Sequence, residues 1–132
     1  MGSNGEIQEH YEMSLKYLKT AKASLASGLF EPAMFNAIHS LELAMKAALL
    51  TKLDESPKTH NIGGLFGRHF REEIGRDLCS SANLILTKYN LPRYPGQRPL
   101  KDDEVREDVD FIEKMIEDHI GPLVLGAALS DR

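Results

Sequence analysis

The sequence contains one cysteine, Cys79, among 132 residues. A lone thiol cannot close an internal disulfide, and without a second cysteine nearby it cannot anchor a structural zinc site. We therefore expect Cys79 to be a small buried apolar residue in a protein of a reducing compartment.

The chain also has no excess of positive charge, because 20 acidic residues outweigh 16 basic ones and the net charge is −4. This balance argues against a general polyanion binder, so we do not expect RNA to be a ligand.

The first six residues lack the basic start and apolar centre of a secretory signal. The apolar C-terminal stretch, residues 120–129, is about half as long as a membrane-spanning helix. We expect a cytoplasmic protein that does not contact membranes.

No established catalytic motif is present. The glycine-rich stretch GGLFG, residues 63–67, lacks the Lys-Ser or Lys-Thr pair of a Walker loop and the preceding strand of a dinucleotide fingerprint. No nucleophile elbow occurs, and no two of the five histidines are spaced as metal ligands on one helix. The sequence therefore predicts neither nucleophilic catalysis nor a metal site.

Apolar residues recur every three or four positions in several segments, which predicts amphipathic helices. Residues 90–99 hold three prolines and a glycine and are predicted to form an irregular loop. No segment alternates as a strand does. We predict an all-α, up-and-down bundle of four to five helices in one domain, residues 1–132, with a core at about 6–120 and an apolar tail at 120–132. The first helix is predicted to end at a Gly28 cap, and the second to run from Pro32 to about Asp54. A third is predicted over Ile62–Phe70, a fourth beyond Gly75 as far as Tyr89, and a last from Asp102 with a kink or an end at Gly121-Pro122.

The second predicted helix carries a polar line on an otherwise apolar surface. Glu42 and Lys46 have the order and spacing that favour an ion pair on a helix, and Asn36 and His39 extend the line toward the N-terminus. One interpretation is a solvated edge, where such a pair contributes little to stability. The other is a functional or interface site, because the surrounding apolar residues predict that this edge is partly covered.

The histidines divide into two groups. His69 and His119 fall on apolar stripes, where we expect core histidines with satisfied hydrogen bonds. His60 lies in the loop at the start of the third helix, where a side chain can either cap the helix or meet a ligand. The sequence leaves both roles open for His60.

Three stretches occur in an order and spacing that resemble the HEPN domain, named for higher-eukaryote and prokaryote nucleotide binding. The resemblance covers about residues 6–120, and it implies a helical bundle that is usually a homodimer and is often encoded beside a minimal nucleotidyltransferase, as in toxin–antitoxin pairs. Recurrent polar features of that family match Glu42, Lys46, His60, Arg93 and Tyr94, which implies a ligand groove shared by these residues. The three stretches are AMFNAIHSLELAMKAALL, PKTHNIGGLFGRHF and RYPG.

Many HEPN proteins are metal-independent ribonucleases that use an arginine, four to six intervening residues and then a histidine. No arginine of this chain has a histidine at that spacing. The most similar pair is Lys114 and His119, which has lysine in the position of the arginine. Lysine lacks the planar fork with which arginine holds a phosphate. We therefore expect a noncatalytic protein, without a cofactor, that binds a nucleotide, a nucleotidyltransferase or both. The alternatives are a ribonuclease toxin with a divergent site at Lys114 and His119, and a purely structural dimerisation module.

Overall fold

A computed structural model describes residues 1–88 and 100–130, and within these two ranges the secondary structure is helical with no strand. The all-α prediction is confirmed. The elements are α1 (Asn4–Ala26), α2 (Phe30–Leu50), α3 (Ile62–Ile74), α4 (Arg76–Lys88), α5 (Asp102–Lys114), a π-helix (Met115–Ile120) and α6 (Gly121–Ser130).

Local signals set the ends of α1 and the start of α2. The Ser3 side chain accepts a hydrogen bond from the Glu6 backbone N–H and caps α1. Gly28 follows α1 with φ 75°, a conformation that disfavours any residue with a Cβ. Pro32 lies in the first turn of α2, as predicted. The helix ends at Leu50, short of the expected end near Asp54, because the next residues form turns with backbone bonds such as Lys52 N–H to Leu49 O at 3.0 Å.

Helix α2 is the centre of the bundle and packs against α1, α3, α5 and the π-helix. Its apolar residues are buried almost throughout, which explains why its sequence is apolar on nearly every side. The buried Ser14 hydroxyl of α1 donates to the Ser40 carbonyl of α2 at 2.7 Å, so this polar group is satisfied inside the core.

Helices α3 and α4 form a closely packed pair, separated by Gly75 with φ 109°. The two helices approach closely at Gly63, where an added Cβ would lie 2.3 Å from Asn83 Oδ1. The glycines of α3, which weaken it as an isolated helix, thus allow α4 to come near. Asn61 caps α3 by accepting a hydrogen bond from the Gly64 N–H at 3.1 Å.

The C-terminal residues form one continuous helical segment. Helix α5 begins with Asp102 and Asp103 in its first turn, where the helix dipole favours negative charge, as predicted. Gly121-Pro122 does not end the helix, because the chain passes through the π-helix into α6. The wider π-turn accommodates the proline, which lacks an N–H and would crowd a regular α-helix. None of the helices in the two described ranges is both long and apolar enough to cross a bilayer.

Candidate ligand site

A cavity of about 380 Å³ lies where α2 meets the start of α3 and the last turns of α4. Helix α2 contributes Ile38, Glu42 and Lys46, which are spaced four residues apart and therefore share one face. The remaining lining residues are Thr59, His60, Asn61, Ile62 and Gly63 around the start of α3, and Asn83, Leu86 and Thr87 of α4. The cavity brings together Glu42, Lys46 and His60 of the sequence-predicted site.

Glu42 and Lys46 are both half-buried in the cavity wall. Their spacing favours an ion pair, but the structure contains none between them, and each makes no hydrogen bond to another side chain of the described residues. Two partly desolvated charges of opposite sign therefore border the same cavity without neutralising each other. Such groups gain from a polar ligand that satisfies both.

His60 is exposed at the edge of the cavity. The capping role that the sequence left open for it belongs to its neighbour Asn61. The Asn61 backbone N–H in turn donates a hydrogen bond to the Thr59 hydroxyl oxygen at 3.1 Å. Within the part of the chain that the structure describes, the imidazole of His60 has no hydrogen-bond partner. It is therefore free to contact a ligand.

Asn36 and His39 of the predicted polar line do not border the cavity. The Asn36 side chain donates to the Pro32 carbonyl at 2.9 Å. The His39 ring packs edge-on against Tyr17 of α1, with ring centroids 4.4 Å apart and an interplanar angle of 89°. The face of α2 that reaches the cavity is the one with Ile38, so His39 turns toward α1.

The other predicted site residues lie elsewhere. Arg93 and Tyr94 fall outside the described residues. Lys114 is exposed and pairs with Asp110 at 3.0 Å, and this hydrogen bond raises the pKa of the Lys114 ammonium group. His119 lies half-buried in the π-helix. Across residues 1–88 and 100–130, no group of three His, Cys, Asp or Glu side chains could hold a metal ion.

Asn83 is a polar cavity residue that the sequence did not predict. Its Oδ1 atom is buried and has no hydrogen-bond partner among the described residues, and it faces the position that a Cβ of Gly63 would occupy. This oxygen therefore packs against the α3 backbone at Gly63, while the Asn83 residue also lines the cavity. The glycine series of α3 was the available signal, because glycines on one helix face indicate close approach of another element.

Comparison with known proteins supplies the family. A family model for the HEPN domain matches residues 7–120. No curated protein sequence matches the chain. The matched range contains α1 except its first three residues, α2 to α5, the π-helix and every described residue of the cavity. The chain therefore belongs to the HEPN-domain family.

Proposed function

We propose that this HEPN protein is a noncatalytic module that binds a nucleotide in the cavity between α2, α3 and α4. The observation that carries the proposal is the pair of half-buried, unpaired charges, Glu42 and Lys46, on one cavity wall. The cavity volume of about 380 Å³ falls within the range of roughly 300–1,000 Å³ typical of small-molecule sites.

A nucleotide offers groups that match these side chains. The Lys46 ammonium group would neutralise a phosphate, and the Glu42 carboxylate would accept hydrogen bonds from ribose hydroxyls or a base amino group. His60 at the cavity edge would add a ring face or a hydrogen bond to the base.

The noncatalytic part of the proposal rests on the residues that a metal-independent ribonuclease would need. The chain has no arginine followed at the required spacing by histidine, and the substitute Lys114 is engaged by Asp110. A lysine in an exposed ion pair cannot supply the bidentate grip that orients a scissile phosphate. A degradation assay on tRNA and mRNA tests this, and RNA cleavage that disappears in His119→Ala would reject it.

Calorimetry with ATP, GTP, UTP and CTP tests nucleotide binding. We expect at least one nucleotide to bind the wild type, and we expect Glu42→Gln and Lys46→Met each to weaken that binding about tenfold or more, as for lost charge-assisted contacts. Lys16→Met is the matched control, because Lys16 is exposed on α1 and does not border the cavity. The absence of heat with all four nucleotides, or equal affinity in the cavity variants, would reject the site.

We also propose that the protein is a homodimer and that a minimal nucleotidyltransferase is its partner. The family match supports the homodimer, since HEPN domains are usually homodimers. Sedimentation at low concentration tests the dimer, and a stable monomer would contradict it. Co-expression with the product of an adjacent nucleotidyltransferase reading frame, followed by purification, tests the partner.

A further inference from the structure

A second concave surface lies along the outer side of the α3–α4 pair. This groove has a volume of about 340 Å³ and adjoins the ligand cavity at Gly63 and Asn83, which border both. Arg68 and Arg71 of α3 line it together with Arg76 of α4. We call it the arginine groove. The groove was not apparent from the sequence, because its three arginines belong to two different helices.

The three guanidinium groups of the arginine groove are not neutralised. None of them has an ion pair or a hydrogen-bond partner within residues 1–88 and 100–130. The nearby Glu73 is engaged by Lys52 at 2.7 Å, and neither Glu72 nor Asp77 lines the groove. Three positive charges therefore meet at one surface of a chain whose net charge is −4.

The other groove residues do not supply a compensating negative charge. Glycines 63, 64 and 67 form part of the wall without side chains. Burial, with a smaller contribution from the charge of Glu73, raises the pKa of the Cys79 thiol, so this group stays neutral near pH 7. The Ser80 hydroxyl adds a neutral hydrogen-bond donor to the same wall as Arg76.

These features define the ligand that the groove can accept. Like charges repel one another at close range, and an anion bound between them relieves that repulsion. The guanidinium fork matches the geometry of phosphate oxygens, which arginine binds with two parallel hydrogen bonds. A long polyanion would also meet the negative surface of the rest of the chain, and this favours a compact ligand.

We propose that the arginine groove binds a compact polyphosphate anion, either free pyrophosphate or the phosphate chain of a nucleotide. The groove is a separate site, and its occupation by pyrophosphate does not require a nucleotide in the cavity. Four donor groups, three guanidinium groups and the Ser80 hydroxyl, contact the anion from two helices.

Calorimetry with inorganic pyrophosphate at low salt tests the proposal. We expect the wild type to bind, Arg68→Gln, Arg71→Gln and Arg76→Gln each to weaken binding about tenfold or more, and the triple variant to lose it. Arg106→Gln is the matched control, since Arg106 pairs with Asp102 at 2.5 Å on α5, away from the groove. Arg71→Lys keeps the charge but not the fork and should give an intermediate affinity.

Competition between ATP and pyrophosphate identifies the source of the phosphates. If ATP displaces the bound pyrophosphate, the groove accepts the phosphate chain of a nucleotide. If pyrophosphate stays bound, the groove is specific for the free anion. Either result supports the site. No heat with pyrophosphate, or full binding by a triple variant whose melting temperature matches the wild type, would overturn the proposal. Pyrophosphate binding through the arginines, together with no response to any nucleotide, would reject the nucleotide cavity and leave this site standing.

Discussion

The Tyr11 hydroxyl of α1 donates a hydrogen bond to the Ile116 carbonyl in the π-helix, at 3.2 Å and across 105 residues of sequence. The same carbonyl accepts the Gly121 N–H, which closes the wide turn. An added Cβ on Gly121 would lie 2.6 Å from the Tyr11 hydroxyl oxygen. The π-turn therefore forms where a side chain of α1 meets the helix, a recognised cause of local departures from α geometry.

Gly121→Ala should destabilise the fold. Its new methyl group would collide with Tyr11 and would also lie 3.2 Å from the Ile116 carbonyl oxygen, so we expect a loss of about 1–3 kcal/mol in the free energy of unfolding. Urea denaturation measures the change. Gly126→Ala is the control, since its added Cβ meets no atom of the described residues within 4 Å and α6 should gain up to about 1 kcal/mol. Equal stability of the two variants would refute the contact.

Tyr11 should also make stability depend on alkaline pH. Burial, and secondly the charge of Glu117, raises the pKa of the Tyr11 phenol above its usual 10.0. The folded state therefore keeps the proton to higher pH than the unfolded chain, so this contribution to stability is complete below pH 10 and is lost as pH rises through the folded-state pKa. Unfolding free energies of wild type and Tyr11→Phe should converge above pH 10. A pH-independent difference would contradict this.

The close approach of α3 and α4 predicts a mutual dependence of Gly63 and Asn83. Gly63→Ala places a methyl group 2.3 Å from Asn83 Oδ1, so we expect a loss of about 1–3 kcal/mol in stability. Asn83→Ala should restore most of it in the double variant, because it removes the colliding amide. Gly67→Ala is the matched control, since its Cβ would make an ordinary contact 3.5 Å from the Cys79 Cβ. Additive losses in the double variant would argue against the contact.

Features of the fold that depend on nearby residues were predictable from the sequence. Apolar spacing predicted the helices, Gly28 predicted the end of α1, and the Asp102-Asp103 pair predicted the start of α5. The π-helix was not predictable, because apolar spacing does not distinguish a π-turn from an α-turn and the contact of Ile116 with Tyr11 arises only from tertiary packing. The sequence identified Gly121-Pro122 as an irregular point but could not show that the helix continues beyond it.

In the candidate site, too, some residues were predictable from the sequence and others depend on tertiary packing. The sequence singled out Glu42, Lys46 and His60, and the fold brings these three to one cavity. It did not identify Asn83, because the role of that side chain follows from the α3–α4 approach. The polar line predicted on α2 also included His39, which packs against Tyr17 of α1 and does not border the cavity. Periodicity defines a helix face, but only packing decides which neighbour each edge of that face meets.

The unpaired charges in the cavity should lower the stability of the unliganded protein. Glu42 and Lys46 are half-buried without an ion pair in the described part of the chain, so each charge loses hydration and gains no partner there in return. Glu42→Gln and Lys46→Met should therefore each raise the free energy of unfolding by about 0.5–2 kcal/mol, as other substitutions that relieve strained functional sites do. Urea denaturation of both single variants and the double variant gives a coupling energy, which we expect to stay within about 0.5 kcal/mol. The exposed Lys16→Met should change stability by less than about 0.5 kcal/mol. If each single variant lowers the free energy of unfolding and the coupling energy is large, the two charges stabilise each other. The argument for a ligand between them would then fail.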